Sequence, residues 1–366
     1  MADLAHAREV INRVDAEMAA LFEQRMQAVE EVIAYKLENG LPVLDTGREQ
    51  QVLEQGLKRI QNPVYREYYQ EYLVHLMGLS KRYQRRLANQ NRVGYQGTEG
   101  AFSYLALKRL FPEQEAQSFV TFGELVRAVM SGEVSAGVLP FENSYTGEVG
   151  EVLDLLYESE VKITRVFDLP VNHHLMALPA VRLEEIQTVY SHQQALSQCS
   201  RYLDEHGFER MAYPNTALAA RYVAETGDRS KAAIASRETA ELYGLEILAE
   251  NINTSAENTT RFIVVEPAFA EEPGDRFSIL FTVRHDAGAL AGAMQVIARH
   301  GFNMESIRSK SIRNVPWQYY FYAELVGDCR SADAGKLLAE LNGICSSCRL
   351  LGFVTLVQIV PVKINP

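Results

Sequence analysis

This 366-residue sequence is poor in three features, and each shortage narrows what the chain can be. It holds four cysteines, too few for a disulfide framework in a chain of this length. It has no run of about 18 apolar residues, so no membrane span is expected. Its cations are outnumbered, 36 Lys and Arg against 47 Asp and Glu, giving a net charge of -11. That balance argues against general binding to nucleic acid or anionic membranes, so any cationic site must be local. The first ten residues, MADLAHAREV, lack the continuous apolar stretch of a signal peptide. The cytoplasm is the expected compartment. Cys345 and Cys348 form a lone C-x-x-C with no second pair and no nearby His, which favours packing over metal or redox use.

What is present is a globular composition, 47% hydrophobic and 23% charged, in a chain long enough for two or three domains. Residues 1–90 read as helix almost throughout. Residues 91–267 alternate short β-branched runs with helical runs, the pattern of an α/β domain. Ala268–Asp275 is acidic, with Pro and Gly, and reads as a linker. Residues 276–358 read strand, helix, strand, strand, helix, strand, a ferredoxin-like order.

The first helix is expected from Leu4 to Leu37, with Leu4, Ala7, Ile11, Val14, Met18, Leu21, Val29 and Val32 on one stripe. Arg25 and Lys36 fall inside that stripe and Arg8 at its edge. A charge in an apolar seam costs several kcal/mol unless it is paired, so either a buried ion pair or a ligand site is implied. Arg25 and Lys36 are about 16 Å apart along the axis, within reach of one small anion. Arg8 is about 25 Å from Arg25, so it joins the same site only from a second chain. A second helix is expected at Asp45, with Arg48 and Glu49 facing the same spot. A third begins at Asn62 and Pro63. Its inner stripe is read as Tyr65, Tyr69, Tyr72, Leu76, Tyr83 and Leu87, with Ser80 inside it and Gln84 beside it.

Arg8, Arg25, Lys36, Asp45, Arg48, Glu49, Ser80 and Gln84 together resemble the active site of the all-helical chorismate mutases. The resemblance implies an intertwined dimer and a pericyclic rearrangement of chorismate to prephenate without covalent catalysis. It implies that Arg8 and Arg25 grip the carboxylates, and that Lys36 and Gln84 face the ether oxygen. Glu49 would take the ring hydroxyl, with Asp45, Arg48 and Ser80 shaping the pocket.

Four segments stand out in the α/β region. VGYQGTEGAFS (93–103) is a strand entering a turn at Gly97 and Gly100 before a helix, where backbone N–H groups can approach an anion. LPFENSYTG (139–147) ends a strand at Asn143 and Ser144. YSHQQALSQC (190–199) runs from strand into helix through Ser191, His192 and Gln198. NTTRFIVV (258–265) sets Thr260 and Arg261 at a strand. Sites in open α/β sheets gather at such strand ends, although capping or turn roles would also explain single members. In this order the segments resemble the prephenate dehydratases. The family has P-x-E-N-[ST]-x-x-G, S-H-x-Q-x-x-x-Q-C and T-R-F, matched here by Pro140–Gly147, Ser191–Cys199 and Thr260–Phe262. Thr98 stands where the family often has Pro, and Gln193 where S-H-P-Q is common.

The resemblance implies two α/β lobes of periplasmic-binding type around a cleft, and conversion of prephenate to phenylpyruvate, CO2 and water. Thr260 would assist departure of hydroxide. Arg261 would bind a carboxylate, and Asn143, Ser144, Ser191, His192 and Gln198 would orient the substrate. No metal, nicotinamide or other cofactor is required.

In the last module, Gly288, Ala289 and Leu290 open a helix where small residues permit close approach. The pattern resembles an ACT domain, whose G-A-L and E-S-R-P motifs bind phenylalanine between subunits. G-A-L is present. E-S-R-P aligns with Arg308-Ser309-Lys310-Ser311, keeping only Ser309. The expected architecture is therefore an all-α dimerising module, a two-lobed α/β domain and an α+β ferredoxin-like ACT domain. The expected function is a homodimeric or larger bifunctional enzyme of phenylalanine biosynthesis, with L-phenylalanine as effector. Its rivals are a monofunctional prephenate or arogenate dehydratase with a structural helical module, and a non-catalytic ligand sensor.

Overall fold

The computed structural model describes residues 3–41, 45–89, 91–255, 257–270, 274–313, 315–354 and 356–357. By contacts the chain divides into two compact units, Met1–Gln90 with Ser131–Ser135, and Asn91–Met130 with Ala136–Pro366.

In the first unit, the Asp3 carboxylate accepts from the Ala5 N–H and starts α1 (Leu4–Glu38). Only Val29 and Ile33 of this helix are buried, while Leu4, Ile11 and Leu21 are more than half exposed. The predicted stripe is therefore covered only toward its C-terminal end. Asp45 accepts from the Arg48 N–H at 2.9 Å and caps α2 (Thr46–Arg59), as its residue type favours. Asn62 caps a short 3-10 turn, Pro63–Tyr65, which leads into α3 (Arg66–Ala88). The buried face of α3 is Leu73, Leu76, Met77, Ser80 and Gln84. This corrects the tyrosine stripe: Tyr65 and Tyr72 are exposed, 61% and 42%. The inner face is turned about one residue from the one they define, which leaves their hydroxyls in water.

The second unit begins β1 (Arg92–Gln96), α4 (Phe102–Leu110), β2 (Glu115–Phe119), α5 (Phe122–Ser131), β3 (Ala136–Asn143), β4 (Gly147–Glu148), α6 (Gly150–Glu158) and β5 (Lys162–Pro170). The chain then crosses into a second lobe. That lobe comprises β6 (His174–Ala177), β7 (Thr188–Ser191), α7 (Gln193–Gln198), α8 (Ser200–His206), β8 (Glu209–Ala212), α9 (Thr216–Thr226), β9 (Lys231–Ala235), α10 (Arg237–Tyr243) and β10 (Glu246–Ala249). The chain returns through β11 (Thr259–Glu266) to the first lobe. The second lobe's sheet runs β10-β6-β9-β7-β8, and the first lobe's runs β5-β11-β3-β1-β2. Parallel strands β1, β2 and β3 point their carboxyl ends one way, as do β7, β8 and β9. Apolar side chains fill both lobes, around Val93, Val138 and Phe262 in one and around Val189, Ala233 and Ile234 in the other.

The remaining elements are β12 (Arg276–Thr282), α11 (Ala289–Arg299), β13 (Asn303–Ser311), β14 (Tyr319–Val326), α12 (Ala332–Ile344), β15 (Ser347–Val354) and β16 (Leu356–Val357). The order strand, helix, strand, strand, helix, strand is the one read from sequence, although residues 271–273 of the linker lie outside the described residues. Strand order β13-β14-β12-β15 continues into β5, so this sheet is joined to the first lobe. The join is tight: a Cβ on Gly352 would lie 1.9 Å from the Ile163 carbonyl oxygen, so only glycine fits. Charges reinforce it. Arg308 pairs with Glu142 at 2.5 Å and lies over the rings of Phe141 and Tyr322. Asp154, 5% exposed, accepts from Lys310, Arg313 and Tyr320 at 2.6, 2.8 and 2.8 Å. Cys345 and Cys348 pack on this module's core, and burial pushes both thiols above their usual range.

Candidate functional site

The helical unit gathers part of the predicted set. Arg25, half-buried on α1, donates through Nη1 to the Ser80 hydroxyl on α3, and Ser80 donates on to the Leu76 carbonyl at 3.0 Å. Gln84, one turn later, is buried with its Oε1 unpartnered. Lys36 is half-buried. Glu49 receives a 3.1 Å ion pair from Lys81, a cation that sequence reasoning missed although it adjoins Ser80. Asp45 serves as the α2 cap, and Arg48 reaches Gln51 at 3.5 Å. Arg8 is exposed near the start of α1. α1 runs unbroken from Arg8 to Arg25, which at 1.5 Å per residue sets them about 25 Å apart along the axis.

Between the lobes of the second unit lies a cleft of about 460 Å³. Its wall takes Asn143 and Thr260 from one lobe, and His192, Gln194, Gln198 and Thr216 from the other. His173, on the crossing from β5 to β6, and Phe102, at the start of α4, complete it. Among the described residues no Asp, Glu, Lys or Arg lines it.

The polar groups form one directed chain. Asn143 Oδ1 accepts from the backbone N–H groups of Tyr145 and Thr146, which can only donate. Its Nδ2 therefore faces Thr260 Oγ1 and Asn258 Oδ1, both at 2.9 Å. Asn258 must then donate, and does so to Gln198 Oε1 at 3.1 Å. Because Gln198 Oε1 accepts, His173 Nε2, 2.9 Å away, must carry the proton. Burial, the largest influence, lowers the His173 pKa to about 4, so the ring is neutral at physiological pH. At the other end Thr260 accepts from Asn143, which leaves its own hydrogen free to donate.

Three expected substrate contacts are corrected. Arg261 lies on the opposite face of β11 from Thr260, paired with Asp168 at 2.8 and 2.9 Å, because adjacent strand residues point to opposite faces. Asp168, the main influence, holds its guanidinium further above its already high pKa. Ser191 is fully buried and donates to the Ile234 carbonyl at 2.7 Å. Ser144 donates to the Glu257 carbonyl and accepts from the Thr259 N–H, fixing the return strand rather than facing the cleft. His173 and Asn258 were missed. The only sequence signal for His173 was the His173-His174 pair just after a β-branched run.

In the last module, Gly288 has φ +84° and caps α11, which Ala289 begins. Leu290 packs on the module's core and, with Trp317 and Tyr319, lines a cavity of about 380 Å³. Ser309 is exposed on β13, while Arg308 and Lys310 turn toward the first lobe.

A helical unit with a cationic seam, and an α/β unit of periplasmic-binding type with an amide-lined cleft, define the class. The profile described as Chorismate mutase type II matches residues 7–85, and that described as Prephenate dehydratase matches residues 93–269. The bifunctional chorismate mutase/prephenate dehydratase of Aquifex aeolicus (strain VF5) is 31% identical over 96% of this chain and 98% of its own. A prephenate dehydratase structure from Arthrobacter aurescens, solved with L-Phe, is 27% identical with TM-score 0.67, covering 74% of this chain and 93% of its own. GqqA, described as a novel type of quorum quenching acylase, is 30% identical with TM-score 0.67, covering 73% of this chain and 98% of its own. The chain belongs to the bifunctional chorismate mutase/prephenate dehydratase family. Among the described residues no helix is long and apolar enough to cross a membrane.

Proposed function

We propose that this chain catalyses two consecutive steps of phenylalanine biosynthesis, chorismate to prephenate and prephenate to phenylpyruvate. The observation that carries the reading is the full-length likeness to a bifunctional relative, with both polar sets present in their separate units. Residues 1–90 form the mutase domain, 91–267 the dehydratase domain and 276–358 an ACT-like regulatory domain.

In the mutase, Arg25 holds a chorismate carboxylate, with Lys36 and Gln84 at the ether oxygen. Gln84, 9% exposed, would donate to the developing oxyanion through its amide nitrogen. Glu49, Asp45, Arg48 and Ser80 shape the pocket. The exposed N-terminal half of α1 supports a dimer in which Arg8 enters the partner's pocket.

In the dehydratase, the prephenate dianion loses CO2, whose bonding electrons enter the ring as the C4–O bond breaks. Hydroxide departs and takes a proton to become water. Thr260, its lone pair held by Asn143, turns its hydrogen to the leaving oxygen. The N-termini of α4 and α9 lie at the cleft wall and supply uncharged donors for the carboxylates. His192 lies at the cleft mouth. Arg261, on the opposite face of β11, pairs with Asp168 and ties β11 to β5.

L-phenylalanine is the proposed effector, at Gly288, Ala289, Leu290 and Ser309. Chorismate fed to the purified protein should yield prephenate and then phenylpyruvate, more slowly when phenylalanine is added. Failure to consume chorismate would leave a dehydratase with a structural helical module. Failure to convert prephenate would leave a sensor.

A further inference from the structure

The turn from Gly97 to Gly100 belongs to the first lobe but is fastened to the second. The buried Gly100 carbonyl accepts from the Thr239 hydroxyl of α10 at 2.9 Å. The Glu99 carbonyl accepts from the Tyr243 hydroxyl, one turn further along α10, at 3.3 Å. The Thr98 hydroxyl oxygen accepts from Asn215 Nδ2, also at 3.3 Å. The same Asn215 caps α9, its Oδ1 accepting from the Leu218 N–H at 2.7 Å. Little room is left between the lobes here. A Cβ on Gly100, whose φ is +85°, would lie 3.2 Å from Leu242, 3.3 Å from Ala217 and 3.4 Å from Thr239 Oγ1.

Thr239 is the sealed member of this set, 0% exposed. A carbonyl can only accept, so the Thr239 hydrogen goes to Gly100. Ser236 Oγ, 2.8 Å away, must then donate to Thr239 Oγ1, while it accepts from the Thr239 N–H at 3.2 Å. The hydroxyl is thereby held in one orientation. Thr239 itself does not line the cleft. The turn and the start of α4 line it through Gly97, Ala101 and Ser103, and the start of α9 through Asn215 and Thr216.

We infer that Thr239 is a positioning residue of the dehydratase: by holding the Gly100 carbonyl to α10 it sets the separation between the starts of α4 and α9, and so presents the cleft at the width its dianionic substrate needs. The inference rests on the dehydratase reading above. Lobes released at this point must be drawn together by the substrate, which lowers its apparent affinity. Once bound, the substrate itself bridges the lobes, and the chemical step at Thr260 is unchanged.

Steady-state kinetics of the full chain with prephenate test this. Thr239→Val removes the hydroxyl and leaves the Gly100 carbonyl bare. Its dehydratase KM should rise about 5- to 20-fold, with kcat within about threefold of wild type. Thr239→Ser keeps the hydroxyl and should hold KM within about threefold of wild type. Tyr243→Phe removes only the bond to Glu99, from a half-buried position, and should raise KM about two- to threefold. That variant decides the matter if the valine protein does not fold, and an unchanged KM in it then overturns the inference. A valine variant that unfolds at lower urea yet keeps the wild-type KM would mean that Thr239 only supports the fold. A serine variant as impaired as the valine one would assign the effect to the methyl group. Either result overturns the inference. Wild-type protein that makes no phenylpyruvate from prephenate defeats the dehydratase reading itself, a separate outcome.

Discussion

The helical seam and the α/β cleft are built to hold isomeric dianions by opposite means. The seam places Arg25, Lys36 and the Lys81–Glu49 pair where they stay half-exposed, and among the described residues its buried polar members are Ser80 and Gln84. The cleft uses no charged side chain among the described residues, and its polar members Asn143, His173 and Gln198 are 7%, 2% and 5% exposed. Solvent explains the difference. A cation that keeps part of its hydration is tolerable when the site is empty, whereas one sealed in a cleft costs several kcal/mol. Neutral amides joined head to tail cost far less. The chemistry differs too: rearrangement spreads charge within one molecule, while the second step expels hydroxide and needs a hydrogen-bond donor aimed at it.

The largest expected effects separate the two regions. Thr260→Val should lower dehydratase kcat/KM by about 100- to 1000-fold, the usual cost of one donor at a developing oxyanion. Mutase activity should stay within about twofold. Arg25→Ala should give the mirror image, a loss of 2–5 kcal/mol or about 30-fold and more in mutase kcat/KM. Loss of both activities in either variant would break the division into independent sites.

Much of this contrast was legible in sequence, and the misses have physical causes. The α1 limits followed from its apolar period, and the α2 start from Asp45. Ser80 and Gln84 stood out because polar residues interrupted an apolar face. Arg261 was misplaced although strand alternation already forbids it from sharing a face with Thr260. Ser144 and Ser191 carry hydroxyls that backbone partners consume, and those partners, Glu257 and Ile234, are distant in sequence. His173 was hidden for the same reason. Its tautomer is dictated by backbone N–H groups at Tyr145 and Thr146, reached through three side-chain amides from separate elements.

Burial of a neutral imidazole predicts an acid sensitivity of the cleft. In the unfolded chain the ring titrates near 6.5. In the fold burial lowers it to about 4, with the hydrogen bond to Gln198 opposing and the His174 charge adding. The unfolded state therefore takes up the proton first. The contribution is fully present above about 6.5 and is lost as pH falls toward about 4, amounting to roughly 3 kcal/mol. Urea unfolding of wild type and His173→Phe at pH 7 and 4.5 should show wild type losing more stability. Parallel losses would place the ring in water.

Ion pairs should follow the same divide between sealed and open sites. Asp154→Asn takes away the buried carboxylate that accepts from Lys310, Arg313 and Tyr320 at the join of the last module and the first lobe, and should cost about 2 kcal/mol in unfolding free energy. Glu49→Gln loosens only the half-exposed Lys81 pair and should cost less than about 1 kcal/mol. Equal costs would mean that burial is not what distinguishes them.

The smallest effect tests the comparison most directly, because it needs no variant. Raising salt from about 0.05 to 0.5 M shortens the screening length from over 10 Å to about 4 Å. Half-exposed cations then attract chorismate less, so the mutase KM should rise several-fold. The cleft holds prephenate by hydrogen bonds from neutral groups, whose strength does not depend on long-range attraction. Its KM should change by less than about twofold over the same range. A dehydratase KM that climbs in step with the mutase KM would mean that a cation enters the cleft when substrate binds.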